Sequence, residues 1–556
     1  MDKALQIGKS SATGSFYLLI GVAASTIIMA LGTLFLAGLL PASDVGLYGM
    51  AAIPATLISY FRDWGVNSAL TQQVASLKMS GNQSKLHDVI YSGIIFEIIT
   101  GAILSVVCFA LAEPLAYIIS PSNVGKLTLY ISIVSISIFT GALINAASGI
   151  FVGYEKMKLN SLTQIVQAVM KTALGPALIV LGFGVLGALY AYIFSFVIAA
   201  ALSIILVYAL VFGPLRKYKT SKCDLIKTLK PMLVYGLPLT VSTVSAGVLA
   251  QIFAVTMANF GGTVMMGNYY VSTYFVTLIT FITLPVTTAL FPVFSKINPQ
   301  KEPELIKTVF ASAAKYTMLL VVPATLLLIT LSTPLINTLF PKDGLLNAFF
   351  TANAAPKYPY AALFLSLSIV GNLFTLTGST NISTFQNGVK KTDQVMKQSL
   401  LSFIIGLPLA YLLVAYFNSI GGPSYAVIGG IIGSTLSNVP NIAWGLYWSW
   451  KNFKIKANFN ISARILGSSL LATAVSIVLI NFLILPYFIT LIIGFLVFSI
   501  VYVITAPLIG AVNYADIENL AAMTSSLPLV SKVLGLPFSL MKKICLFSHP
   551  DPKKVK

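Results

Sequence analysis

The sequence predicts an all-α polytopic membrane protein, from its composition, the length of its apolar runs and the placement of its basic residues. Of 556 residues, 57% are hydrophobic and only 9% are charged, whereas a soluble chain carries about 25% charged residues. So few charges cannot cover a water-exposed surface, and lipid must be the main solvent. The formal net charge of +19 is compatible with nucleic acid, an anionic membrane face or an anionic substrate. The positions of the charges favour the last two.

Apolar runs of helical length recur along almost the whole chain, and each can cross a hydrocarbon core of about 30 Å as a helix. The alternating ten-residue segments of barrel strands are not seen, so backbone hydrogen bonding in lipid requires helices. We predict about fourteen transmembrane helices, at residues 13–40, 46–76, 86–111, 124–150, 159–182, 185–212, 231–258, 266–295, 306–331, 357–384, 397–417, 424–450, 463–482 and 487–509.

Basic residues separate strongly between the two sides of this topology. Of the 34 Lys and Arg residues, 28 fall on the side of the N-terminus, three on the opposite side and three inside spans. Cytoplasmic loops carry the excess of Lys and Arg in membrane proteins. We therefore expect a multi-pass protein of the cell membrane whose N- and C-termini are both cytoplasmic.

Three local patterns occur twice in the same order, each shifted by six predicted spans. They are Gly46-Leu47-Tyr48 with Gly267-Asn268-Tyr269, residues 151–156 with 385–390, and Leu186-Gly187-Ala188 with Ile428-Gly429-Gly430. An even shift preserves orientation, so we expect two six-helix lobes as a parallel repeat around a central cavity. Two such lobes suit transport by alternating access.

The expected domains follow from this repeat. They are an N-terminal six-helix lobe at 1–215, a C-terminal six-helix lobe at 216–455, two additional transmembrane helices at 456–510 and a tail at 511–556. The tail mixes apolar and polar residues and includes Lys542-Lys543. This pattern favours an interfacial segment on an anionic cytoplasmic leaflet over another span.

Five charged residues lie inside the predicted spans: Arg62, Asp63, Glu97, Lys171 and Lys315. Charge at membrane depth is costly, so such residues usually face a cavity or one another. We expect the three cations to line the cavity and bind an anionic group, and the planar fork of arginine suits phosphate. The two acids can neutralise the empty cavity or carry a coupling proton or sodium ion. The alternative is that Arg62 or Lys171 pairs permanently with Glu97 and only holds helices together.

The chain shows no catalytic or metal-binding constellation. It has two histidines, His87 and His549, and the predicted outer loops carry few, widely spaced acids. A glycan-polymerising enzyme would need a clustered acid/base site, and no phosphate-binding glycine loop is present. We predict a protein that is not an enzyme, needs no cofactor or metal and does not bind nucleic acid.

Several short motifs resemble the polysaccharide and oligosaccharide (O-antigen-type) flippases of the multidrug/oligosaccharidyl-lipid/polysaccharide exporter superfamily. The resemblance covers about residues 10–450 and rests on the order and spacing of these motifs. They are Gly46-Leu47-Tyr48, Asp63-Trp64-Gly65 with Ala69, Tyr235-Gly236-Leu237-Pro238, Gly267-x-Tyr269 and Pro292-Val293-Phe294.

The resemblance implies two lobes around a V-shaped cavity and a specific cargo. That cargo is an oligosaccharide linked to undecaprenyl or dolichyl diphosphate, moved to the outer leaflet for polysaccharide or glycoprotein glycan assembly. In that family early cavity cations handle the diphosphate, which maps onto Arg62 and Lys171. This chain departs from the family at Phe253, where relatives often have an acid, so ion coupling would rest on Asp63 or Glu97. The alternatives are a cation-coupled multidrug exporter of the same superfamily and, less favoured, a membrane glycan polymerase or ligase.

Overall fold

A computed structural model describes residues 3–218, 224–297, 302–342, 355–482, 485–524 and 528–548. These residues are almost entirely helical, and their only β-structure is an isolated bridge between Pro341 and Pro356. Parts of the predicted tail, residues 525–527 and 549–556, lie outside the described residues. Internal contacts divide the chain into unit one (Met1–Tyr274 and Thr392–Asn441) and unit two (Phe275–Lys391 and Ile442–Lys556).

Unit one contains the helices of the N-terminal part of the chain and a helical pair from its second half. Their bounds are α1 Lys3–Leu39, α2 Ala42–Ser59, α3 Val66–Ser80, α4 Gln83–Ala110, α5 Ala112–Ile119, α6 Val124–Gly153, α7 Met157–Leu178, α8 Gly184–Val207, the part of α9 (Leu225–Lys296) up to Tyr274, α13 Thr392–Gly421 and α14 Pro423–Ser437.

Unit two contains the remaining helices, including both helices of the tail. Their bounds are the rest of α9, α10 Pro303–Leu339, α11 Ala361–Val370, α12 Ile382–Gly388, most of α15 (Val439–Phe453), α16 Phe459–Phe482, α17 Tyr487–Leu508, α18 Tyr514–Thr524 and α19 Pro528–Ser548.

Ten helices of the described residues are long and apolar enough to cross a membrane, or up to eleven if one bent pair counts as a single span. The prediction of an all-α polytopic membrane protein is confirmed, but the number fourteen is not. Two of the ten segments, Met157–Tyr218 and Thr240–Thr277, each overlap two predicted spans. Helical runs that continue through a backbone break therefore account for part of the difference.

The predicted continuous helix at 46–76 is wrong, because α2 ends at Ser59 and α3 begins at Val66. Trp64 (φ 49°) and Gly65 (φ 78°) are both left-handed between the two helices, a conformation that terminates an α-helix. A non-helical segment at membrane depth is tolerated only where protein or a water-filled cavity satisfies its backbone. The interruption therefore marks a position for a site.

The predicted span at 357–384 is also interrupted. Its helical parts, Ala361–Thr377 and Ser379–Gly388, meet at an angle of 79°, and Gly378 between them is left-handed (φ 78°). Ser462 from α16 donates a hydrogen bond to the Leu376 carbonyl (2.8 Å). A side chain from a neighbouring helix thus satisfies a carbonyl beside the bend.

Two turns in corresponding places of the predicted repeat share one backbone geometry. Glu155 after α6 (φ 59°) and Lys390 after α12 (φ 61°) are both left-handed. The residue after each donates its N–H to the carbonyl five residues earlier at 2.8 Å. By backbone geometry, Glu155 therefore corresponds to Lys390. The sequence pairing of 151–156 with 385–390 matches Glu155 with Val389 instead, so the two pairings differ by one position.

The third sequence pattern also has matching contacts. Gly187 of α8 lies against Leu178 of α7, and Gly429 of α14 lies against Leu413 of α13. The stretch of chain from the leucine to the glycine is longer in the second copy than in the first. The α7–α8 pair and the α13–α14 pair thus share a glycine–leucine contact and differ in the length of their connections.

The first sequence pattern makes a reciprocal contact inside unit one. A Cβ atom on Gly46 of α2 would meet the carbonyl oxygen of Thr263, and one on Gly267 of α9 would meet the carbonyl oxygen of Ala42. The alignment that matches Gly46 with Gly267 also matches Ala42 with Thr263. Equivalent residues that contact each other in this exchanged manner are related by a two-fold rotation. The contact supports the predicted repeat and places α2 against α9 with no side chain between them.

Candidate functional site

The interruption between α2 and α3 positions two of the five buried charges. Asp63 accepts a hydrogen bond from the Asn67 backbone N–H (2.8 Å) and so satisfies a free donor at the start of α3. Gly65 lies directly against the backbone of Gly236 in α9, where a Cβ on either residue would overlap the other. The turn is therefore fixed at both ends, and Arg62 projects from a defined backbone position.

Arg62 contacts Glu97 of α4, but the contact is not a fully formed salt bridge. Arg62 Nε lies 3.3 Å from Glu97 Oε2, yet neither atom has a partner with hydrogen-bond geometry. Arg62 Nη1 donates to the Ile138 carbonyl of α6 (3.3 Å), and Nη2 has no hydrogen-bond partner among the described residues. The strong form of this pair is bidentate with two parallel bonds. The guanidinium is thus held near Glu97, and this contact does not occupy all of its N–H donors.

Glu97 is fully buried, and amide side chains behind it complete the network. Its Oε1 accepts from Asn145 Nδ2 of α6 (3.2 Å), and Asn145 Oδ1 accepts from Asn67 Nδ2 of α3 (3.1 Å). Asp63 is close enough for its charge to act on that of Glu97. One cation and two acids therefore share one polar cluster.

A cavity of about 350 Å³ opens beside this cluster, within unit one. Its charged end is lined by Arg62 and Asp63, with Asn145 beside them. The rest is lined mainly by hydroxyl-bearing side chains of α2, α3 and α9. The remaining lining residues are Thr56, Ser59, Tyr60, Gly65, Ser68, Thr240, Thr243 and Val244. Arg62 is 12% exposed, so the ion pair borders open space.

Lys171 is placed differently from Arg62, although both belong to unit one. Its ammonium group lies 5.4 Å from the centroid of the Tyr192 ring of α8, within the range of a cation–π contact. It is not among the residues that line the cavity beside Arg62. The structure therefore does not bring the two predicted cations together at this cavity.

Lys315 contacts the tail. Its Nζ lies 2.5 Å from Asp516 Oδ2 of α18, and both side chains are largely buried within unit two. Asp516 Oδ2 also accepts from the Asn513 N–H (2.8 Å), and Asn513 Oδ1 accepts from the Asp516 N–H (2.8 Å). This reciprocal arrangement is a capping box at the start of α18. The contacts of Lys315 are those of a residue that holds the tail.

Sequence reasoning missed the uncharged members of the site. Asn67, Asn145 and Thr240 lie within predicted spans, and each is a polar residue in an otherwise apolar helix. Polar residues at membrane depth usually face the protein interior or a cavity, so the sequence did contain a signal for these three residues. Only the fold shows that α3, α6 and α9 bring them to Arg62.

The fold defines a polytopic helical membrane protein with a polar cavity inside unit one. The model of the family described as polysaccharide biosynthesis protein matches residues 11–298, more than half of the chain, and the chain belongs to this family. No curated protein matches it in sequence.

Solved structures with the same fold belong to the MOP superfamily of transporters. One is a multidrug resistance MATE family transporter in an inward-facing conformation (18% identity, 78% of this chain and 95% of that chain, TM-score 0.64). Another is the lipid II flippase MurJ in an inward closed conformation (17% identity, 88% and 98%, TM-score 0.62). A third is a MOP superfamily transporter from Pyrococcus furiosus (19% identity, 80% and 96%, TM-score 0.54).

At such low sequence identities, these likenesses establish the fold alone. The neighbours are described as transporters and a flippase, and the family is one of polysaccharide biosynthesis. The candidate spans of the described residues agree with the expectation of a multi-pass membrane protein.

Proposed function

We propose that the protein is a flippase that moves a polyprenyl-diphosphate-linked oligosaccharide across the cell membrane by alternating access. The observation that carries the proposal is the placement of Arg62 at the edge of a polar cavity, where its Nη2 group has no partner among the described residues. A guanidinium donates paired hydrogen bonds to phosphate oxygens. The family of polysaccharide biosynthesis proteins and the fold shared with a lipid II flippase support the same cargo class.

The charges of the cluster suggest how binding is coupled to an ion. Arg62, Asp63 and Glu97 carry a net charge of −1 when all are ionised, and a diphosphate adds further negative charge. Buried like charges disfavour one another strongly. Binding of the headgroup therefore requires uptake of a proton or sodium ion by an acid. A proton on Glu97 would also remove the carboxylate that competes with the phosphate for Arg62.

The remaining parts of the proposal rest on the sequence. Both termini lie in the cytoplasm, from the placement of Lys and Arg. Two six-helix lobes, at 1–215 and 216–455, move relative to each other. Lys171 binds the diphosphate at a different stage of the transport cycle from Arg62. The prenyl chain remains in the membrane lipid throughout. Undecaprenyl and dolichyl carriers share the diphosphate and are both compatible.

The test is headgroup transfer by the full chain in proteoliposomes that contain a labelled undecaprenyl-diphosphate oligosaccharide. Arg62→Ala should lower the transfer rate by about tenfold or more, because a hydrogen bond to a charged group contributes about 1.5–3 kcal/mol. Arg62→Lys should restore it partly, since charge is kept and the planar fork is lost.

Arg464→Ala is the matched control. This arginine is exposed and bonded to Asn460 and to the Gly510 carbonyl, so its removal should leave transfer unchanged. Full transfer by the Arg62→Ala protein would refute the proposed site. The transfer rate of the Lys171→Ala protein shows whether the second cation is also required.

A multidrug exporter is the second candidate, because Asp63 lines the cavity and Glu97 lies behind it. Cationic drugs pair with buried acids. Expression in a host lacking its own pumps decides between the two: drug resistance that depends on Asp63 and Glu97 would favour export of cations. Unchanged drug susceptibility, with glycan transfer that depends on Arg62, would favour the flippase.

A further inference from the structure

Three hydroxyl groups that line the cavity have already used their only proton. Thr56 Oγ1 donates to the Ala52 carbonyl (2.8 Å) and Ser59 Oγ to the Ala55 carbonyl (2.7 Å), both in α2. Thr240 Oγ1 donates to the Gly236 carbonyl of α9 (3.1 Å). A hydroxyl has one donor and two acceptor lone pairs. In this arrangement each of these groups offers a ligand an acceptor, and it would have to give up its backbone bond in order to donate.

The cavity is consequently divided by hydrogen-bond polarity. At the charged end, Arg62 offers N–H donors and no acceptor, and the Asp63 carboxylate beside it offers acceptors. Along the wall, which we call the acceptor wall (Thr56, Ser59 and Thr240), the hydroxyl oxygens offer only lone pairs. Ser68 and Thr243 also line the cavity and make no such backbone bond within the described residues, so they can donate or accept.

The two ends select different chemical groups. The oxygens of a diphosphate diester carry no proton, so against the acceptor wall they would meet lone pairs without a bond. An unsatisfied buried polar group costs about 1–3 kcal/mol. A sugar carries several hydroxyl groups that can donate. The diphosphate thus belongs at Arg62, and a group rich in O–H donors belongs at the wall.

The size of the cavity limits what the wall can contact. A volume of about 350 Å³ is near the lower end of small-molecule pockets, which span about 300–1,000 Å³. Tyr60 also lines the cavity, and its ring lies against Gly247 of α9, where a Cβ would overlap the ring. An aromatic ring and hydroxyl-bearing side chains thus line the same cavity, a combination that suits one sugar ring with its mixed polar edges and apolar faces.

We infer that the acceptor wall recognises the hydroxyl groups of the single sugar attached to the diphosphate, and that it sets which sugars are accepted. The inference rests on the proposed function, since it takes the diphosphate to be bound by Arg62. It makes Thr56, Ser59 and Thr240 specificity-determining residues and leaves the distal sugars of the glycan outside the cavity.

The test compares two short-chain probes on the full chain in nanodiscs: farnesyl diphosphate, and farnesyl diphosphate carrying one hexose. The double variant Thr56→Val plus Thr240→Val keeps side-chain shape and removes both acceptors. Its affinity for the hexose probe should fall about tenfold, and its affinity for the sugar-free probe should stay within about twofold of the parent. In the parent, a hexose probe lacking the contacted hydroxyl should bind as weakly as the complete probe binds to the variant.

Thr256→Val is the matched control. Thr256 is on α9, bonds to its own backbone (Ile252 carbonyl, 3.1 Å) and is not among the cavity-lining residues. It should bind both probes like the parent, and equal melting temperatures of the three proteins show that folding is unchanged. Ser59→Ala provides an independent single-site variant and should weaken only the hexose probe.

The outcomes separate this inference from the proposed function. If the valine variant binds the hexose probe like the parent, or loses both probes equally, the acceptor wall is refuted. If the parent binds neither probe, or binds both regardless of Arg62→Ala, the proposed function fails first. Loss of the hexose probe alone, with Arg62-dependent binding of both probes in the parent, supports both.

Discussion

At the scale of single residues, Arg62 and Glu97 explain how a buried cation can remain available. A buried charge needs a partner to exist in a membrane protein. A bidentate partner, however, would compete fully with any anionic ligand. The 3.3 Å approach without hydrogen-bond geometry is intermediate between these cases, because it compensates the charge and leaves Nη2 without a bond to any part of the chain that the structure describes. The permanent structural pair considered from the sequence stays the alternative, and the transfer rate of the Arg62→Ala protein tests it.

Replacing Glu97 by glutamine should therefore strengthen anion binding. Glu97→Gln keeps the hydrogen bond from Asn145 and removes the competing charge beside Arg62. We expect farnesyl diphosphate to bind about tenfold tighter at neutral pH, a gain equal to one charged hydrogen bond. Titration calorimetry on the full chain in nanodiscs gives the affinity.

The same variant should lose the pH dependence of binding. The proposed coupling has anion binding take up a proton at Glu97, with Arg62, Asp63 and Asn145 facing it, so affinity in the parent should rise as pH falls. Glutamine cannot take up the proton. With the hexose-bearing probe, whose diphosphate diester does not itself titrate near neutrality, the affinity of the variant should be flat across two buffers on either side of neutrality. Glu113→Gln, at an exposed carboxylate of α5, should behave like the parent. A pH slope that persists in Glu97→Gln would exclude this residue as the proton site.

At the scale of elements, the interruptions and close contacts position the site. The left-handed pair Trp64 and Gly65 directly precedes α3, and a Cβ-free contact between Gly65 and Gly236 fixes the turn against α9. A second contact of this kind, between the segments around Gly46 and Gly267, holds the opposite part of α2 on the segment of α9 that follows its backbone break at Gly262 (φ 71°). The cavity wall lies between these two contacts because its residues belong to α2 and α9.

Adding one methyl group at the second contact should separate α2 from α9. Gly267→Ala would place its Cβ on the Ala42 carbonyl oxygen, a backbone atom that cannot rotate away. Overpacking of this kind costs about 1–3 kcal/mol, so the melting temperature and the transfer rate should both fall.

Gly125→Ala serves as the comparison, since a Cβ there meets no atom within 4 Å. It should melt at least as high as the parent, because alanine is the better helix former. Equal melting of the Gly267→Ala protein and the parent would show that the contact is not maintained in the membrane.

At the scale of the whole molecule, the tail is joined to unit two by specific polar contacts rather than by apolar packing alone. Lys315 pairs with Asp516, and Asn519 donates to the Tyr316 hydroxyl (2.8 Å). Met541 and Cys545 of α19 are buried in the same apolar cluster as residues of α10 and α17. A segment with the composition of an interfacial helix is therefore an integral part of its unit.

A double-mutant cycle should show strong coupling between Lys315 and Asp516. Asp516→Asn alone leaves a largely buried ammonium without its partner and should cost roughly 3 kcal/mol, whereas Lys315→Met plus Asp516→Asn should recover part of it. The Lys542–Glu518 pair, 3.8 Å apart with a half-exposed Glu518, should show about 0–1 kcal/mol of coupling. Chemical denaturation in detergent measures both cycles, and equal coupling in the two pairs would contradict the assignment.

The sequence predicted what depends on composition and local order. Low charge and long apolar runs specify helices in lipid, and the repeated glycine patterns indicate a duplication before any coordinates are known. The interruption at Trp64 and Gly65 was not predicted, because apolar residues continue on both sides of it. The pattern of apolar residues does not reveal a single turn inside such a run. A contact between Arg62 and Glu97 was among the alternatives drawn from the sequence. The separate contacts of Lys171 and Lys315 depend on which helices pack together, which a single sequence does not contain.

The exchanged contact of Gly46 and Gly267 has a consequence for the origin of the chain. The two surfaces that meet there are copies of one surface, and a surface that fits its own copy can also join two separate molecules as an isologous dimer. A half-length ancestor carrying only the first copy would have possessed this interface already. Fusion of two such genes would then have joined the subunits of an existing symmetric pair, and left each half free to acquire its own side chains.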